Sequence, residues 1–211
     1  MKSVLMSIKP EYCELIAAGI KTVEVRKSKP QIKTPFKCYI YCTKQFYKNG
    51  DGYFQGKYCG KVIGEFVCDK IDKIVHAGTS NENVQLCTIN DDWLYRSLSN
   101  EYLSQTKLTY GELEKYSNGG NLYGWHISDL VIYDEPKELS EFMVIDKGML
   151  KECTYRIRAY NNPDCTNGAL LKGTYVCNNS FEPDFCRGQC GIATKPLIRP
   201  PQSWCYVEVE E

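Results

Sequence analysis

The sequence predicts an α+β fold: a small mixed β-barrel with flanking helices and a cysteine-rich insertion before its last strand. Short apolar segments typical of strands outnumber helical segments, and they do not alternate with helices as in a doubly wound sheet. A stretch rich in Asn, Gly, Pro and Cys also interrupts the chain near its end. We expect the barrel over residues 1–147, the insertion over 148–195 and the final barrel strand over 196–211.

The N-terminal elements are the most clearly marked. Residues 3–8 read as a first strand, and Pro10 stands where a proline commonly opens a helix. Gly19 follows that helix in the position where glycine ends helices. The segments "TVEVRK" and "KCYIYCT" (37–43) then read as two further strands.

The middle of the chain carries two helix-start signals. Asn90 precedes "DDWLYRSL" and reads as an N-cap, and Thr109 with Glu112 has the spacing of a capping box. The remaining strand signals, of which the first fits one bent strand or two short ones, are at 61–75, 122–133 and 204–210.

Charge is balanced overall but unevenly distributed. The 211 residues contain 26 Lys and Arg and 26 Asp and Glu. Residues 1–62 hold twelve cations and four anions, whereas residues 63–150 hold seven cations and fifteen anions. Such asymmetry fits either a surface that faces a polyanion or two segments that pair with each other. With neither a signal peptide nor an apolar run of about 18 residues, we expect a cytoplasmic protein that does not contact membranes.

The twelve cysteines do not predict a disulfide framework, because thiols stay reduced in the cytosol. Six of them lie mostly in apolar segments and read as small core residues: Cys13, Cys38, Cys42, Cys59, Cys68 and Cys87.

The stretch "GIKTVEVR" (19–26) is the most informative motif. Strand alternation puts Val23 and Val25 on one face, and Glu24 and Arg26 on the other, with Lys21 just before them. From the pattern alone this is either a solvated polar face with an ion pair or part of a binding site.

This stretch resembles the GxKxxExR signature of the ASCH domain, a branch of the PUA-like superfamily. The flanking segments "SIKPEYCELIAA", "YIYCTK", "KVIGEFVC", "LYGWHI" and "RPPQSWCYVE" are also similar to members of that family. The resemblance implies a small β-barrel with a helix near its mouth. It further implies that Lys21, Glu24 and Arg26 line a cleft that binds RNA or a modified nucleoside.

The residue types suit that ligand class. Lys and Arg donate to phosphates or base carbonyls, and a carboxylate accepts from an exocyclic amine, as Glu does toward cytosine. Tyr41, Trp125 and Trp204 are candidates to stack on a base, although each also reads as a core residue.

Catalysis is left open. Some ASCH members hydrolyse N4-acetylcytidine, and their pattern has a threonine where this chain has Glu24. Their pattern also has a glutamate later in the chain, whereas residues 104–106, where it would fall, include no acidic residue. Glu24 as general base with Lys21 at the oxyanion is an alternative. Glu65 is a second candidate acid or a paired structural carboxylate, and His126 reads as a core histidine. No feature demands a nuclease.

The insertion gives a third hypothesis, a protein-interaction module formed by residues 148–195. Thiolates on one structural Zn²⁺ would hold such a loop-rich segment together, although only the last two candidates are closely spaced. Free thiols beside an extra hairpin are the alternative, and no other cofactor is expected. The candidate zinc ligands are Cys153, Cys165, Cys177, Cys186 and Cys190.

Overall fold

The computed structural model describes residues 3–44, 46–49, 52–55, 58–77, 85–89, 95–145, 170–171, 174–175 and 194–208. Two compact units divide the chain. The first unit comprises Met1–Leu139 with Arg199–Tyr206, and the second comprises Ser140–Ile198 with Val207–Glu211.

The described elements are mostly strands, as the α+β prediction requires. The helices are α1 (Pro10–Ala17), α2 (Asn100–Thr106) and α3 (Tyr110–Ser117), with a 3-10 turn at Leu139–Glu141. The strands are β1 (Ser3–Ile8), β2 (Val23–Arg26), β3 (Phe36–Cys42), β4 (Phe46–Asn49), β5 (Gly52–Gln55), β6 (Val62–Cys68), β7 (Ile71–Ala77), β8 (Gln85–Ile89), β9 (Tyr95–Ser97), β10 (Leu122–His126), β11 (Ser128–Lys137), β12 (Met143–Ile145), β13 (Leu170–Leu171), β14 (Thr174–Tyr175), β15 (Thr194–Pro196) and β16 (Trp204–Val207).

Two five-stranded sheets form the larger part of the fold. The first has the order β11-β6-β3-β1-β16 and the second the order β2-β10-β7-β8-β9. Strands β1 and β3 are parallel, while β10 pairs antiparallel with both β2 and β7. The pairings among the described residues form two open sheets, and they do not show the closure of a barrel.

The chain passes between the two sheets at short corners. Two residues separate β6 in the first sheet from β7 in the second. One residue separates β10 in the second sheet from β11 in the first. Residues 61–75 therefore hold two strands rather than one bent strand. The single strand predicted over 122–133 is wrong, because Ile127 separates two strands that belong to different sheets.

The helix starts give a mixed result. The capping box of α3 is confirmed, since Thr109 and Glu112 each bind the other's backbone N–H. The helix predicted after Asn90 is wrong where it can be checked, because Tyr95–Ser97 form strand β9, while 90–94 lie outside the described residues. Helix α2, capped by the Ser99 hydroxyl, was not predicted.

Two hydrophobic clusters lie on the two faces of β2 and β10. One includes residues of β1, β3, β6 and α1 together with Trp125. The other includes Val25, Leu113 and Leu122, with side chains of α2 packed against it. Strand β2 is consequently covered on both faces.

The second unit is described only in part. Strand β12 pairs antiparallel with β15, and β13 pairs with β14. The five candidate zinc ligands, from Cys153 to Cys190, lie outside the described residues. The boundaries predicted at 147/148 and 195/196 therefore stay predictions.

Candidate ligand-binding cleft

The turn after α1 fixes the position of Lys21. Gly19 has a φ of +69°, and its N–H donates to the Ile16 carbonyl at 2.8 Å. The N–H groups of Ile20 and Lys21 both donate to the Leu15 carbonyl, at 2.9 and 3.0 Å. This is the hydrogen-bond pattern of a Schellman ending, which glycine favours because it has no Cβ. The chain thus leaves the helix in a defined direction just before β2.

The polar face of β2 is buried rather than solvated. Glu24 lies opposite Trp125 of β10, and Val25 lies opposite Gly124. All four residues of the strand are buried, including Glu24 and Arg26. The alternation predicted from the sequence is present, but the solvated-face interpretation is wrong because the polar side is covered as fully as the valine side.

Lys21 donates to three acceptors. Its Nζ lies 3.0 Å from the Val23 carbonyl and 3.3 Å from Glu24 Oε2, and it also donates to the Thr106 carbonyl at the end of α2. Three acceptors engage all three protons of an ammonium group. Burial lowers the pKa of Lys21, although the neighbouring Glu24 carboxylate acts in the opposite direction. With its side chain only 1% exposed, Lys21 joins α2 to β2.

Glu24 and Arg26 form a second buried ion pair. Arg26 Nη2 lies 3.0 Å from Glu24 Oε1 and donates to the Ser7 carbonyl of β1 at 2.6 Å. Arg26 Nε is buried and has no hydrogen-bond partner among the described residues. The guanidinium therefore connects the two sheets, and Glu24 lies between two cations.

These charges line a cavity of about 260 Å³ within the first unit. Its walls come from the end of β1 and the start of α1, from β2 and from α3. The lining residues are Ser7, Lys9, Tyr12, Lys21, Glu24, Val25, Arg26, Leu108, Glu112 and Tyr116. The volume is below the roughly 300–1,000 Å³ of pockets for drug-sized ligands, so the cavity suits a small group.

Two tyrosines give the cavity aromatic walls. Lys21 Nζ lies 5.0 Å from the centre of the Tyr12 ring, and Lys27 Nζ lies 5.0 Å from the centre of the Tyr116 ring. Tyr116 is 38% exposed. Burial raises the pKa of both phenols, so both hydroxyls are neutral at physiological pH. The lining of the cleft thus combines the charged side chains of Lys21, Glu24 and Arg26 with the aromatic rings of Tyr12 and Tyr116.

A second carboxylate, Glu112, lies at the exposed side of the cleft. It precedes Tyr116 by four residues, which puts both on one face of α3. Glu112 Oε2 accepts from the Thr109 N–H at 2.7 Å and from the Thr109 hydroxyl at 2.8 Å. These hydrogen bonds lower the pKa of Glu112, so it remains ionised.

The three predicted stacking residues lie elsewhere. Trp125 is completely buried and packs edge-on against Phe36, with ring centres 5.7 Å apart. Tyr41 is buried in β3, and half-buried Trp204 donates from Nε1 to the Ser28 hydroxyl at 3.0 Å. None of the three is among the cavity-lining residues, so their role in stacking on a base stays a prediction without a place in this cavity.

The aromatic residues that do line the cleft were missed because their positions depend on tertiary packing. Tyr12 lies in α1 and Tyr116 follows the capping box of α3, and neither residue belongs to a motif of its own. Glu112 was read only as a capping residue. The spacing of four between Glu112 and Tyr116 was the available sequence signal, because it predicts that both lie on one face of a helix. That this face borders the cleft depends on the packing of α3 beside β2.

Other candidate side chains have structural partners. Glu65 accepts from Lys37 Nζ at 2.8 Å and from the Tyr133 hydroxyl at 2.6 Å. His126 Nε2 lies 2.6 Å from Asp72 Oδ2. Within the described ranges, no group of three or more His, Cys, Asp and Glu side chains is arranged to hold a metal ion. In the same part of the chain no helix is long and apolar enough to cross a membrane.

Comparison with known families supports the resemblance read from the sequence. Residues 6–63 match the model of the ASCH domain, which is a PUA-like fold. The match includes the end of β1 and all of α1, β2 and β3, and it therefore contains Lys21, Glu24 and Arg26. The resemblance is therefore confirmed over this segment. Comparison with curated proteins gave no match.

Several solved structures are similar to the chain at low identity. The crystal structure of ASCH from Zymomonas mobilis is 19% identical and covers 72% of this chain and 79% of its own, with a TM-score of 0.43. A tyrosine-to-phenylalanine mutant of that protein is 20% identical, covering 74% and 83% with a TM-score of 0.42. A serine-to-alanine mutant is 20% identical, covering 72% and 80% with a TM-score of 0.43. Similarity at this level says nothing about ligands.

Proposed function

We propose that this chain, with its ASCH-domain segment at residues 6–63, binds a nucleobase of RNA or of a modified nucleoside in the cleft. The observation that carries the proposal is the Glu24–Arg26 pair, which puts an acceptor beside a donor in a small cavity between two tyrosines. The edge of a cytosine offers the complementary pattern, an exocyclic amine beside ring and carbonyl acceptors.

Lys21 has an indirect role in this proposal. Because its three protons are engaged by Val23, Thr106 and Glu24, no donor is left for a ligand. Its ammonium orients the Glu24 carboxylate through the 3.3 Å ion pair. Arg26 supplies the donor, since its buried Nε has no partner among the described residues and would gain one from a ligand acceptor after a small rotation.

The tyrosines supply the stacking surface. Stacking of a base on an aromatic side chain contributes about 1–3 kcal/mol and tolerates any base. Tyr116 is exposed enough to meet an incoming base, and Lys9 and Lys27 lie nearby as cations for an attached phosphate. Binding of RNA should therefore weaken as the salt concentration rises.

Binding of a labelled single-stranded RNA, measured by fluorescence anisotropy at two salt concentrations, tests this proposal. Tyr116→Ala should weaken binding by about 1–3 kcal/mol, whereas Tyr116→Phe, which keeps the ring, should not. Lys37→Met is a matched control, because Lys37 pairs with Glu65 outside the cavity lining. Equal affinity for wild type and Tyr116→Ala would reject the cleft as the site.

Hydrolysis of an acylated nucleoside is a second candidate function, supported by the presence of Glu112 in the cavity lining. Both oxygens of Glu24 are engaged by cations, whereas only one oxygen of Glu112 is engaged by Thr109. Mass analysis after incubation with N4-acetylcytidine tests this function. Loss of the acetyl group with wild type but not with Glu112→Gln would establish hydrolysis. An intact nucleoside would reject hydrolysis and leave binding as the remaining function.

A further inference from the structure

Three cysteines from distant parts of the sequence meet in the first unit. Cys13 lies on α1, Cys42 ends β3, and Cys59 lies in the turn before β6. Cys59 packs against the buried cluster that contains Cys13 and Cys42, and the thiols of Cys13 and Cys59 are both near enough to that of Cys42 to influence its pKa. Cys13 also donates to the Ile8 carbonyl at 3.6 Å. Cys42 is thus the central thiol of a connected group.

The backbone holds Cys59 beside Cys42. The Gly60 N–H donates to the Cys42 carbonyl at 2.8 Å, and the Cys42 N–H donates to the Lys61 carbonyl at 2.9 Å. Gly60 has a φ of +84°, and a Cβ there would come within 2.6 Å of the Lys44 side chain. The positive φ favours glycine at this turn, and the two backbone hydrogen bonds keep Cys59 close to Cys42.

The three thiols differ in accessibility and acidity. Cys59 is partly exposed, whereas Cys42 is 1% exposed and Cys13 is fully buried. The hydrogen bond from Cys13 lowers the pKa of Cys42; burial opposes this, and the bond from Cys59 adds to it. The thiolate is the nucleophile in thiol exchange, so a lowered pKa prepares Cys42 to attack a neighbouring sulfur.

We propose that Cys42 and Cys59 are a redox-active pair that closes to a disulfide by exchange with a small disulfide such as oxidised glutathione. The accessible Cys59 thiolate attacks one sulfur of oxidised glutathione, forms a mixed disulfide and releases one glutathione thiolate. The Cys42 thiolate then attacks Cys59 Sγ and releases the second. The protein loses two electrons and two protons, which reduce oxidised glutathione to two molecules of the thiol.

Three of the four remaining described cysteines serve as internal controls. Burial raises the pKa of Cys38, Cys68 and Cys205. The pKa rises to about 12 for Cys68 and to about 11 for Cys205. Cys38 and Cys68 are close neighbours on the paired strands β3 and β6, where Cys38 lies opposite Phe66 and Cys68 lies opposite Phe36, so they test whether proximity alone is sufficient. We expect all three to remain thiols under conditions in which Cys42 and Cys59 react.

Disulfide mapping of the full chain tests the proposal. The reduced protein is incubated with oxidised glutathione, its free thiols are capped with N-ethylmaleimide, and peptides are analysed without reduction. Trypsin leaves Cys38 and Cys42 on one peptide, and chymotryptic cleavage after Tyr41 separates them. The expected product is a peptide pair joined through Cys42 and Cys59, with Cys68 capped.

Variants separate the two steps. In Cys42→Ser the mixed disulfide at Cys59 should persist, with its loss slowed about tenfold or more. Cys205→Ser should behave as wild type. A wild-type protein in which Cys59 keeps glutathione, pairs with another cysteine or is capped as slowly as Cys205 would overturn the proposal. The wild-type map alone decides if Cys42→Ser does not fold.

Discussion

Replacing Lys21 with methionine tests whether the buried ammonium holds the cleft together. The substitution removes the donor to the Val23 and Thr106 carbonyls and one of the two cations beside Glu24. Both carbonyls would lose a hydrogen bond in a site where the lysine side chain is 1% exposed. Methionine fills a similar volume, so the loss is chiefly electrostatic.

The expected cost is about 3–5 kcal/mol, the range for breaking one side of a buried ion pair. Two unsatisfied carbonyls at about 1–3 kcal/mol each give a similar total. For a chain of this size the loss corresponds to a fall of about 10 °C in Tm. The Thr106 carbonyl belongs to the last turn of α2, where carbonyls have no partner within the helix, so the end of that helix should loosen first.

Urea unfolding, followed through tryptophan fluorescence, measures this loss because Trp125 is buried in the same unit. Lys37→Met is the matched control. Lys37 Nζ lies 2.8 Å from Glu65 Oε1, but the lysine side chain is 46% exposed. That ion pair therefore contributes at most about 1 kcal/mol to the free energy of unfolding. If Lys21→Met and Lys37→Met lose the same free energy of unfolding, Lys21 is not the structural ammonium described here.

Three further changes test the fold around the site. Burial alone would raise the pKa of Asp72, but hydrogen bonds from His126 and Lys70 outweigh it and lower the pKa. A lowered carboxyl pKa adds stability that is present above the ordinary value and lost as pH falls through the folded value. The free energy of unfolding should therefore fall below about pH 4, less steeply in Asp72→Asn, and equal slopes would contradict this. Thr109→Ala should lower the stability by about 1 kcal/mol in thermal unfolding while Thr109→Ser should not, since the hydroxyl caps α3. Gly124→Ala would put a methyl 2.0 Å from the Tyr102 hydroxyl and should cost about 1–3 kcal/mol, and failure of Tyr102→Phe to restore part of this loss would refute the clash.

Local signals predicted the first elements of the chain well. Pro10 and Gly19 mark the two ends of α1, and the strand after Gly19 has the predicted alternation. These features depend on backbone conformation and capping, which act within a few residues. The ASCH resemblance lies in the same segment and is confirmed there.

Features that depend on tertiary packing were predicted less well. The run 122–133 reads as one continuous strand from its apolar and aromatic residues, and that pattern does not show that the chain crosses from one sheet to the other at Ile127. The polar face of β2 is buried because Lys21, Glu24 and Arg26 satisfy one another, which alternation alone does not reveal. Trp125 belongs to the core for the same reason, since it faces the interior opposite Glu24.

The central claim is that Glu24 and Arg26 read a base edge in the cleft, and calorimetric titration with cytidine and uridine tests it most directly. A carboxylate accepts from the cytosine amine but repels the carbonyl that uracil carries in its place. We expect wild type to bind cytidine more tightly by about 1–3 kcal/mol, and Glu24→Gln to lose that preference. Equal binding of the two nucleosides by wild type, or an unchanged preference in Glu24→Gln, would contradict the account.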